Sequence, residues 1–421
     1  MPSHDQTLLG FFFALTGALI ATSIINIGDS GVPLFCLALA MPAAALIFAG
    51  FWSQYFTFSR SALYFLLSIG SIFLLLCVAT FFQIALNIQS PSRGLPHAVI
   101  RLSFLAYCVV CVVFLRGGTL LACLRWLRRI LAILALYGVY QLPAKLLGLP
   151  LFLDWLRNNH SFSLYNYDTA GWVSLVRATS IYAEPAQCAV PVVVLVLLNI
   201  YLPAPRFSKK LVWVAVTLFA LLTFSRTIWV AIFALIIAMI VSRSQDFRRQ
   251  FQRHTVAFSG LLLLITLMMP IWAFLGSNYK ADLSRQERAG SVVIGLQLVK
   301  QHPILGSGWN SYETLMPGYQ IDVENVSPDV TFSTIHNMFV SYAQQAGIAG
   351  FLLALFPFAV MLFLSEAPLG LRLASVLSLL TAAELGGDVA YSSLFWLWVA
   401  IILNWKHQSI GVVRADLDAT A

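Results

Sequence analysis

Charge is scarce in this chain. Only 10% of its 421 residues are Asp, Glu, Lys or Arg, while 60% are hydrophobic and the mean hydropathy is +0.84. Soluble chains carry about 25% charged residues, so a freely soluble protein is excluded. Basic residues are missing from the start, because none precedes Arg60. The first apolar run therefore lacks the basic region of a cleaved signal peptide and is expected to stay as an anchor. Cysteine is sparse too. Cys36, Cys77, Cys108, Cys111, Cys123 and Cys188 fall in or beside apolar stretches. Cys108 and Cys111 lie mid-span without a second ligand pair, which points to packing and not to metal or redox chemistry. The chain has no glycine-rich phosphate loop, zinc motif or Asp-x-Asp pair, so neither a metal nor a cofactor is expected. No internal repeat is visible.

What the chain does have is a series of apolar runs, each of about 20 residues, the length of a spanning helix. They fall near 7–27, 32–52, 62–86, 98–116, 129–148, 186–204, 211–225, 227–242, 255–276, 337–364, 371–387 and 391–405. The reading is an all-α polytopic membrane protein of about twelve spans, in three parts. Residues 1–276 hold the first nine spans, 277–336 form a large outer loop with short helices, and 337–421 hold the last three spans and a tail. The net charge of +8 is explained by position, since cytoplasmic loops collect Lys and Arg. With the N-terminus inside, the inner loops carry Arg125, Arg128, Arg129, Lys209, Lys210, Arg248, Arg249 and Lys406. The charge thus follows membrane topology, and no nucleic-acid partner is expected.

Residues 211–242 are short for two crossings: as helix they extend about 48 Å, where two crossings need about 60 Å. One long helix would instead put the basic clusters at Lys209 and Arg248 on opposite sides, against the orientation rule. A hairpin is therefore expected, with Thr223-Phe224-Ser225-Arg226-Thr227 at its tip. Arg226 would then lie within the membrane. Such an arginine is either a functional group or a snorkelling anchor.

The loop at 277–336 is the long polar segment of the chain. Asp282 to Gln301 reads as a helix, with Arg285 and Arg288 on one face and an apolar stripe through Val292, Val293, Leu296 and Val299. His302-Pro303-Ile304-Leu305-Gly306-Ser307-Gly308-Trp309-Asn310 follows as a turn, with His302 as a helix-end residue. The acidic run from Glu313 to Asp329 lacks ligand spacing and reads as solvated loop. The loop ends in His336-Asn337, directly before an apolar span. Another outer segment has a similar ending, with Arg177 leading to Glu184-Pro185 at a span start. Glu184 fits either a helix-start carboxylate or a substrate contact.

Arg177, Arg226, Arg288 and His336 thus converge on one face. Guanidinium forks bind phosphate bidentately and can stabilise a pyrophosphate leaving group. A histidine suits removal of a hydroxyl proton. The pattern points to group transfer from a lipid pyrophosphate to an alcohol. A transporter for such a lipid is the competing reading. The absence of a two-fold repeat, and charges at one face instead of the midplane, count against it.

Between Arg177 and Gly350 the chain resembles the O-antigen ligase and O-antigen polymerase superfamily of bacterial envelope glycosyltransferases. The resemblance rests on Thr223-Phe224-Ser225-Arg226, on Arg288 with the His302 to Asn310 run, and on His336-Asn337 upstream of Gly347-Ile348-Ala349-Gly350. A tryptophan usual in the family near the position of Val292 is absent here. The resemblance implies an inner-membrane enzyme whose site faces the periplasm, acting without metal or cofactor. It implies inverting transfer from an undecaprenyl-pyrophosphate-linked glycan to a second glycan or to lipid A core. It assigns Arg226 and Arg288 to the pyrophosphate and His336 to the acceptor hydroxyl. Arg177, Glu184, Arg285, Trp309, Asn310 and Asn337 are expected around the substrates. Membrane lipids and a chain-length regulator are the other partners it suggests. The Arg177 to Pro185 segment is closer to the polymerase branch than to the ligases.

Overall fold

The computed structural model describes residues 4–19, 23–27, 30–33, 60–86, 88, 91–153, 166–169, 173–176, 178–182, 185–254, 283–309, 311–315, 335–385 and 392–405. The spans expected at 32–52 and 255–276 lie outside these residues. Each of the other expected spans contains a helix: α1 (His4–Ala18), α2 (Arg60–Ala85), α3 (Pro91–Phe114), α4 (Gly117–Leu147), α5 (Ala189–Tyr201), α6 (Arg206–Leu222), α7 (Arg226–Val241), and, later, α11 (Met338–Ala359), α12 (Leu369–Leu385) and α13 (Ser393–Asn404). Between α7 and α11 lie α8 (Gln245–Arg253), α9 (Leu283–Gln301) and α10 (Tyr312–Leu315).

Among the described residues, three helices are each able by length and composition to cross a membrane: Leu67–Ala85, Gly117–Leu147 and Met338–Leu364. A fourth counts if α7 and α8, bent by 91° at their junction, form one broken span. Several of the others are shorter than the sequence reading had them. Helix α1 ends at Ala18, and Ser23–Ile27 pairs antiparallel with Ser30–Pro33. The apolar residues past Ala18 include β-branched Ile25 and Ile27, which suit a strand. Hydropathy by itself does not distinguish the two forms. A second small hairpin pairs Asn166–Thr169 with Val173–Val176. The stretch from Gly117 to Arg129, expected as an inner loop, is instead the first part of α4. Leu120, Leu124, Leu127 and Leu131 give it a buried apolar stripe, and this helix packs against α1. The 31 residues of α4 extend about 46 Å, longer than the hydrocarbon core.

Helix α13 lies at the centre. Every residue from Ser393 to Leu403 is buried, the pattern of a helix enclosed on all sides. Helices α1, α3, α5 and α11 contact it.

Helices α6 and α7 form the expected hairpin, but its arms splay. Helix α6 packs on α4 and α5, whereas α7 packs on α12 and α5. Trp213, Thr217, Trp229, Ile236 and Met239 line the apolar opening between the arms. The far ends of both arms meet at α5: Asn199 Nδ2 donates to the Lys209 carbonyl at 3.1 Å, and the Tyr201 hydroxyl lies 3.2 Å from Met239 Sδ. The basic residues of the α6 start therefore share an end of the bundle with the α7 terminus. The tip carrying Arg226 is at the other end.

Candidate functional site

The last turn of α12 is where Arg288, Asn337 and the residue after Arg226 meet. A helix C-terminus leaves carbonyls without intrahelical partners and carries partial negative charge. The Leu385 carbonyl is one of these. Arg288 of α9 donates to it from Nη1 at 2.6 Å, and Thr227, the residue after Arg226, donates from Oγ1 at 3.3 Å. One oxygen therefore holds the α9 arginine and the first turn of α7 together. Ser291, on the same helix as Arg288, accepts the His336 N–H at 3.3 Å and donates to the Arg288 carbonyl at 2.8 Å. His336 stands immediately before α11. Asn337 caps that helix by accepting from the Val340 N–H at 2.9 Å, and its amide nitrogen donates to Glu384 Oε2. Arg226, at the start of α7, is exposed.

The hairpin tip is held by the chain that follows Arg177. The Ala178 N–H donates to the Leu222 carbonyl at 3.0 Å. Gln141 of α4 cradles the same segment, accepting from the N–H groups of Thr179 and Ser180 and donating to the Ser180 carbonyl at 2.7 Å. Ser180 (φ 54°) and Phe224 (φ 46°) both occupy left-handed backbone. That conformation is costly for residues with a side chain and clusters at functional sites. Both belong to the segments joined by the contact of Ala178 with Leu222.

The turn from His302 to Trp309 is docked into a break in α11. Ala346 and Gly347 depart from helical geometry there, and the carbonyls of Gln344 and Gln345 just before them accept from the turn. The Ser307 N–H reaches Gln344 at 2.7 Å and the Gly308 N–H reaches Gln345 at 3.1 Å. Gly306 (φ 75°) and Gly347 (φ 59°) pass backbone to backbone. A Cβ on Gly306 would lie 2.5 Å from the Gly347 nitrogen, and one on Gly347 would overlap the Ile304 carbonyl. Gln83 of α2 donates to the Leu305 and Gln345 carbonyls.

Trp309, expected beside the substrate, is a buried anchor of this turn. Its indole nitrogen donates to Thr80 at 3.0 Å, and its ring meets Tyr342 edge-on. Asn337 is buried as well. Arg285 lies on α9 three residues before Arg288. Arg177, Glu184 and Asn310 lie outside the described residues. His302 is exposed at the end of α9, in keeping with a helix-end role. Among the described residues no group of three His, Cys, Asp or Glu side chains could hold a metal ion. Cys108 and Cys111 are buried thiols in the core.

Two charged residues escaped the sequence reading. Glu384 sits inside an expected span, and an ionisable group there is itself a signal of function. Arg101 carries the same signal in α3. It is buried, donates to the Tyr342 hydroxyl and stands 4.5 Å over that ring, so its place is at the anchor of the Trp309 turn.

The arrangement puts the Arg288 guanidinium, held by a backbone carbonyl, at one end of a helical bundle with His336, whose backbone N–H is held by Ser291, and with the turn that bears Arg226. It suits binding of a phosphorylated ligand beside a group that accepts a proton. A comparison with curated proteins found no match. Residues 210–355 match the family model described as O-antigen ligase, a stretch that includes Arg226, Arg288 and His336. That match, over part of the chain, supports its likeness to the O-antigen ligase and O-antigen polymerase superfamily.

Proposed function

We propose that the protein transfers a glycan from a lipid-linked pyrophosphate to an acceptor hydroxyl, and that it acts as a polymerase of lipid-linked repeat units. The observation that carries this reading is the shared Leu385 carbonyl, which brings Arg288 next to the turn bearing Arg226, with His336 tied to the same helix through Ser291. In the reaction, the acceptor oxygen attacks the anomeric carbon of the donor glycan as the bond from that carbon to the pyrophosphate oxygen breaks. A single displacement of this kind inverts the anomeric centre. His336 takes the acceptor proton, and Arg226 and Arg288 bear the charge developing on the departing lipid pyrophosphate. Two guanidinium groups supply the charge stabilisation elsewhere given to a divalent cation, so the transfer is metal-independent.

The carrier is proposed to be undecaprenyl pyrophosphate, with the site on the periplasmic side of a bacterial inner membrane. The polymerase reading rests on the Arg177 to Pro185 segment. A ligase acting on lipid A core is the second reading, favoured by the description of the family matched over 210–355. Purified protein in detergent, given donor lipid and excess chelator, is expected to lengthen the glycan on its lipid. Transfer only to added lipid A core would select the ligase. Transfer that needs magnesium or manganese would remove the leaving-group role of the arginines. Failure of any glycan to move, while lipid crosses a reconstituted bilayer, would make the protein a transporter.

A further inference from the structure

The contact between Asn337 and Glu384 takes no part in the chemistry above, yet it closes a circuit through the site. Glu384 accepts from Asn337, and His336, the residue before Asn337, donates its backbone N–H to Ser291. Ser291 bonds the Arg288 carbonyl, and Arg288 returns to Leu385, the neighbour of Glu384. We infer that Glu384 is a positioning residue: through Asn337 it sets His336 relative to Arg288, and so sets the proton acceptor relative to the leaving-group stabiliser. This rests on the proposed roles of those two residues.

The chemistry of Asn337 supports the assignment. Its Oδ1 is fixed by the Val340 N–H, so its amide nitrogen can only face Glu384. An asparagine with both ends engaged cannot flip without losing both bonds. Its extended backbone (φ −135°, ψ 119°) is what turns the chain from His336 into α11. A cap by itself needs only the oxygen. The second bond, to a buried carboxyl group at the end of an apolar helix, is costly to keep. It adds a fixed distance between α11 and α12, and small errors of orientation between reacting groups cost large factors in rate.

The test uses the full-length protein in the glycan-transfer assay, with unfolding midpoints measured alongside. Asn337→Asp keeps the helix cap but sets two carboxyl groups against each other. Its kcat is expected to fall by about tenfold or more, with donor KM within about twofold, because Arg288 keeps its own bond to Leu385. Glu384→Gln can still accept from Asn337, and a fall of about threefold is expected. In the double variant the new glutamine amide can donate to the new aspartate, which still caps α11, so kcat should recover to about the level of Glu384→Gln. A double variant no more active than Asn337→Asp overturns the inference. So does recovery of the unfolding midpoint without recovery of kcat, since the pair would then be structural only. Wild-type protein that moves no glycan would overturn the proposed function itself, and this inference with it.

Discussion

Arg288 and Leu385 stand 97 residues apart in the chain and are joined by a hydrogen bond of 2.6 Å from Nη1 to the backbone carbonyl. A guanidinium carries five N–H donors in a fixed plane, so binding the helix end with one of them orients the rest. The partial negative charge of the α12 terminus also favours the cation there. The loop helix α9 is thereby tied to the bundle by the side chain that the proposed reaction most needs.

That tie gives a graded expectation for Arg288. Arg288→Ala should lose both donor binding and leaving-group stabilisation, lowering kcat/KM by about a hundred- to a thousandfold. Arg288→Lys should recover only part of this, because a lysine keeps charge but lacks the bidentate fork. Steady-state kinetics against donor lipid measures both. A lysine variant equal to wild type would mean that charge alone suffices.

His336 should behave differently. His336→Gln can hydrogen-bond an acceptor hydroxyl but cannot take its proton, so kcat should drop by about a hundred- to ten-thousandfold with donor KM little changed. Near-normal turnover would leave His336 as a positioning group. The base would then be sought at Glu184.

Gly347 and Gly306 are expected to be intolerant of even one added carbon. Gly347→Ala meets both a left-handed backbone (φ 59°) and the Ile304 carbonyl. Its cost should exceed the roughly 1 kcal/mol of an ordinary glycine replacement at positive φ. Thermal unfolding in detergent should show a lower midpoint than for Gly70→Ala, where the added carbon meets open space. Equal midpoints would mean that the turn at Gly306 does not dock into the α11 break.

The hairpin makes a topological prediction. Single cysteines introduced at Lys209 and Arg243 should react with a membrane-impermeant reagent from the same side, since α5 holds both ends of the hairpin together. A cysteine at Arg226 should not react from that side. Labelling of Lys209 and Arg243 from opposite sides would remove the hairpin and the proposed place of Arg226.

Much of this protein was determined by composition and order alone. The low charge fixed it as a membrane-type chain. The shortness of 211–242 for two crossings, set against the basic clusters, predicted the hairpin at Arg226. The helix before Gln301 was legible because its apolar residues and arginines repeat at helical spacing, but the face it buries runs through Ile294 and Leu298 and leaves Leu296 of the expected stripe exposed. Hydropathy could not separate strand from helix beyond Ala18, nor show that leucines carry α4 straight through an arginine-rich stretch, because packing partners decide both. The tertiary structure alone decided which oxygen Arg288 binds, that Trp309 belongs to the core, and that Glu384 faces Asn337. Those contacts join segments far apart in the chain, and local periodicity carries no information about which helix end will meet which side chain. Glu384 was visible as a carboxylate in an apolar run, but only the packing of α12 against α11 gave it a partner.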